Sequence, residues 1–189
     1  GLKAVAQGDV ESFRVLASLT STSSYVTVDA EAKYIGDEII LYVDTELTEN
    51  DLSQEDINEL GDFYDEIALR EQNLLGDTSD VNQDGKFAGL ITPQINRLGE
   101  MGGGIITGYF FSADLYARIE SNVVSNEREI VYMLAPDPSG QWGYPISKEF
   151  AMSNLLKPVF PHELQHAISY NQHVMVNGGS PEESWLNEG

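Results

Sequence analysis

The sequence predicts an α+β fold in which helices cover one face of a mixed sheet, and two observations carry that expectation. Short runs of β-branched and aromatic residues come first, one long amphipathic stretch interrupts them, and more such runs precede a helix-rich end from about Ser147. Strands and helices therefore do not alternate one for one, as a doubly wound βαβ chain requires. With 189 residues, 41% of them hydrophobic, the chain suits a single core, and 17 Gly plus 7 Pro exclude collagen-like and disordered classes.

Residues 13–19, 25–34 and 38–44 are the first strand candidates, with alternation clearest in Tyr25-Val26-Thr27-Val28. Ser53 is a helix N-cap with Asp56 three residues on. Ile57, Leu60, Tyr64, Ile67 and Leu74 then keep helical spacing as far as Gly76, which predicts a helix over 53–75. Residues 87–92, 105–111 and 129–134 read as three more strands, the middle one entered through Gly102-Gly103-Gly104. A last helix is expected over about 158–172, starting or kinking at Pro158 and Pro161.

Ten basic residues against 31 acidic ones give a net charge of −21, which opposes nucleic acid and anionic lipid as partners. Fourteen acids and one base, Lys33, lie between Asp29 and Glu66, and the plain reading of that stretch is a solvated face. No apolar run approaches the roughly 18 residues that span a bilayer. Cysteine is absent, so no disulfide or thiolate metal site is available. The acidity leans towards a secreted or cell-envelope protein, and no signal peptide is present in this chain. Its oligomeric state is left open.

The chemistry is concentrated in Pro161-His162-Glu163-Leu164-Gln165-His166, an H-E-x-x-H motif. On a helix, two histidines four residues apart lie about 40° from one another, so both imidazoles can reach one metal ion. Glu163, between them, can face water at the metal as a general base. Downstream, Ser180-Pro181-Glu182-Glu183 is a capping box that opens a helix, which gives Glu183 a structural role. Glu188 is then the carboxylate free to complete a His162, His166, Glu188 zinc site with water in the fourth position. His173 lies seven residues past His166, about 10.5 Å along a helix, and is not expected to be a ligand. Asp80, Asn82 and Asp84 place oxygen donors at alternate positions before Gly85, but Ile91 replaces the glutamate that ends an EF-hand loop. A smaller calcium loop and an Asx-rich turn both remain open there.

His162-Glu163-x-x-His166 followed by Trp185-Leu186-Asn187-Glu188-Gly189 resembles the gluzincin zinc metallopeptidases, in which a second helix supplies a glutamate ligand. The strings from His162 to Asn171 and from Glu183 to Gly189 are most similar to the hyicolysin family of bacterial secreted neutral zinc metallopeptidases. Asp80 to Lys86 and Gly108 to Tyr116 extend the resemblance over most of the chain from about residue 25. It implies a zincin-like, thermolysin-like core: a twisted mixed sheet, a backing helix, an antiparallel edge strand at 105–111 and an active-site helix. It also implies a peptide or protein substrate, and a chain that is the N-terminal part of a catalytic domain, cut just after the third ligand and by itself weak in zinc binding. The expected activity is zinc-dependent peptide hydrolysis with Glu163 activating water. The rival is a catalytically silent binding domain of the same fold.

Overall fold

The computed structural model describes residues 4–176, and these form one mixed sheet of six strands with helices packed against it. The strands are β1 (Val10–Leu16), β2 (Tyr25–Ile35), β3 (Ile39–Asp44), β4 (Phe87–Ile91), β5 (Gly108–Phe110) and β6 (Ile130–Met133). Their order across the sheet is β1-β2-β3-β4-β6-β5. β1, β2 and β3 form an antiparallel meander, β3, β4 and β6 run parallel, and β5 returns antiparallel on β6 at the far edge. Every residue of β3, β4 and β6 is buried, as expected for parallel strands covered on both faces. The expected α+β class and mixed sheet are therefore present.

α1 (Gln54–Leu75) begins at the predicted cap. The Ser53 hydroxyl accepts from Asp56 N while the Asp56 carboxylate accepts from Ser53 N. Its buried stripe runs Ile57, Leu60, Tyr64, Ala68 and Glu71, and this face packs against the last long helix, α4 (Lys157–Tyr170). The helix-rich end starts where the sequence places it, just after Ser147, and α4 itself begins one residue before the expected 158. The path to α4 opens at α3 (Lys148–Phe150), capped by Ser147, and passes through a π-helical segment, Ala151–Leu156. Pro158 and Pro161 have no N–H to give, and the looser turns preceding them let the chain enter α4 without the bonds they remove. Tyr64 O–H donates to the Leu156 carbonyl at this junction.

Two strands and one helix differ from the sequence expectation. The first strand is Val10–Leu16, shifted from 13–19, because residues 18–23 form a hydroxyl-rich turn in which Ser18 bonds Thr20 and Ser21 bonds Ser23. A helix not foreseen in the sequence, α2 (Pro93–Met101), follows β4 directly. Thr92 caps it by accepting from Gln94 N, and Pro93 occupies its first turn. The edge strand shrinks from 105–111 to Gly108–Phe110, because the backbone just before it lies on α2: a Cβ placed on Gly99 would sit 2.8 Å from Ile106 N and 3.1 Å from Ile105 Cα.

The segment between β5 and β6 is held by a buried carboxylate. Asp114 accepts from Asn126 N and from Tyr132 O–H, both at 2.7 Å, and its own carbonyl accepts from Arg128 N. Full burial pushes the Asp114 carboxyl up to about 7, although Tyr132, Asn126 and the two nearby arginines pull the other way. An unfolded aspartate titrates near about 3.9, so the folded state holds this proton more tightly than the unfolded chain. The stability due to Asp114 is thus fully present below about pH 4, is lost as pH rises to about 7, and is constant above. Urea-unfolding free energies measured from pH 4 to 8 should converge or cross for wild type and Asp114→Asn over that interval; a pH-independent difference contradicts the assignment.

β5 lies so close to the β6 backbone, with α4 just beyond, that residue 108 must be glycine. A Cβ there would sit 2.4 Å from Tyr132 O and 2.9 Å from Val159 Cγ2. Gly108→Ala is expected to cost about 1–3 kcal/mol through overpacking. An unchanged urea midpoint would show that β5, β6 and α4 have room to separate.

Candidate metal centre

The rotation of α4 about its own axis sorts its side chains. Phe160, Leu164, Ala167 and Ile168 recur at helical spacing and are buried, while His162 is exposed and His166 half-buried. Phe160 stacks on Tyr64 of α1 with ring centroids 4.3 Å apart and meets Phe87 of β4 edge-on at 5.9 Å. With that face committed to the core, the two histidines come out side by side. Their Nε2 atoms face each other at 3.2 Å, with the rings at 82°.

That spacing suits a tetrahedral metal. Two nitrogens each about 2.05 Å from zinc, at a tetrahedral angle, lie about 3.3 Å apart. His162, Glu163 and His166 each bring a ligand-type atom within 4.8 Å of the others, so this group could hold a metal ion. Glu163 differs from the histidines in its surroundings: it is 4% exposed, and its Oε2 accepts from Phe110 N of β5 at 3.1 Å. A backbone amide of the edge strand thereby aims the carboxylate beside the imidazole pair.

The neighbours on the same side of α4 are aromatic. Tyr170, seven residues after Glu163 and so on the same helix face, shares a 2.6 Å hydroxyl contact with Tyr116 and meets the Phe110 ring edge-on. Burial and the Tyr116 hydroxyl hold the Tyr170 phenol above the ordinary tyrosine range. From α1, Glu71 reaches the opposite flank of α4, where its Oε1 accepts from Gln165 Nε2 at 3.4 Å. Burial raises the Glu71 carboxyl to about 7, against the opposing pulls of Gln165 and His162. The sequence does carry a signal for Glu71: an acid three residues after Ala68 stands in the apolar stripe that Tyr64 and Ala68 define.

Of the remaining candidates, His173 falls in the π-helical segment Asn171–Val176, is exposed, and is outside the His162, Glu163, His166 group found among the described residues. Glu188 and the Ser180 to Glu183 capping box lie outside the described residues. In the Asp80 loop the carboxylate oxygens serve the chain itself, while Asn82 Oδ1 is enclosed without a hydrogen-bond partner among the described residues. Asp80 accepts from Gly85 N, Asp84 accepts from Lys86 N and from Asn82 Nδ2, and Arg128 stands 3.7 Å from Asp84. Gln83 and Gly85 take positive φ values of 58° and 70°. These bonds are those of an Asx-rich turn, the non-metal alternative for this loop.

The chain matches no protein-family model and no curated protein sequence.

Proposed function

We propose that this protein is a zinc-dependent peptidase of the gluzincin type, resembling the hyicolysin family, with a zincin-like catalytic core. One observation carries the reading: two imidazole nitrogens at a tetrahedral ligand spacing, with a buried carboxylate pinned beside them by an edge-strand amide. His162 and His166 are the proposed ligands from α4, and Glu188 the proposed third. Zinc bound there supplies a Lewis acid that acidifies water and polarises the scissile carbonyl.

Glu163 takes the proton of the attacking water and delivers it to the leaving amine. Its burial and its bond to Phe110 N support this role, because a carboxylate fixed by a backbone donor keeps one oxygen in place through the proton transfer. β5 is the last strand of the sheet, and in this reading an extended peptide substrate lies along its outer edge by strand addition. The strong net negative charge supports a secreted or cell-envelope location.

Zinc content and casein hydrolysis in the full-length protein, with and without 1,10-phenanthroline, test the proposal. Glu163→Gln should retain zinc and lose at least about 10²-fold in turnover, the usual contribution of general-base catalysis. His166→Ala should lose both zinc and activity. Full proteolysis by Glu163→Gln would sink the mechanism, and a wild-type protein that binds zinc without cleaving any protein substrate would favour a silent binding domain instead.

A further inference from the structure

β2 is longer than the strand beside it. Its pairing with β1 runs on to Tyr25 opposite Leu16, whereas its pairing with β3 stops at Ala30 opposite Asp44, so residues 25–29 have a strand on one side only. Strand alternation tells which backbone groups this leaves open. Ala17 N donates to Ser24 O and Ala32 N donates to Asp9 O, which turns the even-numbered residues here towards β1. The odd-numbered ones face away. The Asp29 carbonyl accepts from Thr45 N, but the N–H and C=O of Tyr25 and Thr27, and the N–H of Asp29, meet no hydrogen-bond partner among the described residues.

A groove of about 480 Å³ runs along this open edge, walled by residues 26–29 of β2, by Thr45 and Glu46 where β3 ends, and by Arg97 of α2. Residues 25–29 keep an unbroken register with β1 and contain no proline, so neither a bulge nor a missing N–H spoils the edge as a template for another strand. Charge decides what can lie there. Asp29, Asp44 and Glu46 stand around the groove against one cation, Arg97, which is already paired with Glu46 at 2.7 Å. A second copy of this chain would bring a net charge of −21 to the same place, which opposes pairing of two copies. Val26 and Val28 project from one face of β2 and Thr27 and Asp29 from the other, so an added strand meets an apolar row on one face and a carboxylate on the other.

We propose that the open edge of β2 docks an extended polypeptide segment of alternating apolar and basic residues, which adds as a strand and takes up the free groups of Tyr25, Thr27 and Asp29. β2 stands four places from β5 in the strand order, so this surface is separate from the substrate edge proposed above and does not depend on the peptidase reading.

The probes are two end-blocked synthetic peptides, Lys-Val-Lys-Val-Lys-Val-Lys and its counterpart with Glu for Lys, titrated into the full-length protein with 1,10-phenanthroline present to prevent cleavage. Amide proton–nitrogen spectra should show the basic peptide shifting Tyr25, Thr27 and Asp29 and slowing their hydrogen exchange by at least about tenfold, an effect that high salt weakens. The acidic peptide should leave them unchanged. Thr27→Pro removes a groove-facing N–H that β1 does not use, so it should fold and lose at least about tenfold in affinity, while Thr27→Ser binds as wild type does. Asp29→Asn keeps an acceptor for Ser12 and should bind about 3- to 10-fold more weakly. Equal shifts from both peptides, no shift at these three amides, or undiminished binding by folded Thr27→Pro would overturn the proposal. So would sedimentation of the peptide-free protein as a dimer that Thr27→Pro dissociates, because the occupant would then be a second copy.

Discussion

The seating of Phe160 between Tyr64 and Phe87 is the contact on which the site depends. It fixes the rotation of α4, and a helix offers no freedom to place one side chain independently of the next: each residue turns about 100°. Once residues 160, 164, 167 and 168 face the core, residues 162 and 166 must emerge together and residue 163 must lie at the boundary, turned towards β5. A rotation of one residue would bury a histidine and expose the carboxylate. The stacked pair itself is worth only about 0.5–1.5 kcal/mol beyond its buried area, yet it decides which face of the motif meets water.

The same helix meets its neighbours on three sides with different chemistry. α1 supplies the ring of Tyr64 and the carboxylate of Glu71, β4 supplies Phe87, and β5 supplies the Phe110 amide across a gap that only glycine at 108 permits. The bulk of the positioning is therefore done by ordinary core packing, with two polar contacts, at Glu71 and Glu163, placed on opposite flanks of α4. The π-helical entry at Ala151–Leu156 belongs to the same arrangement, since it brings a chain with prolines at 158 and 161 into a continuous helical path.

Where local chemistry decides structure, the sequence reads well. The Ser53 cap and the helical spacing of Ile57, Leu60 and Tyr64 placed α1 to within a residue, although Leu74 at the end of that series is exposed and Ala68 and Glu71 continue the buried stripe instead; the apolar runs at 39–43 and 87–91 are strands because parallel strands buried on both faces need no polar alternation. The histidine pair is equally legible, because its geometry follows from helix periodicity alone. What was hidden depends on contacts distant in sequence. The edge strand is short because residues 104–106 lie against Gly99 of α2, and α2 itself, nine residues long, announces itself only through Thr92 and Pro93. Glu71 lies 94 residues before Gln165, and nothing in either local sequence ties one to the other. Glu188 belongs to the part of the proposed site that rests on sequence alone.

The central claim is that one metal ion sits between His162 and His166, and X-ray absorption at the zinc edge of the zinc-loaded full-length protein addresses it directly. The account predicts one zinc per chain with a first shell of two imidazole nitrogens at about 2.0–2.1 Å and oxygen in the remaining positions. A shell of oxygen alone, without the multiple scattering of imidazole rings, would contradict it.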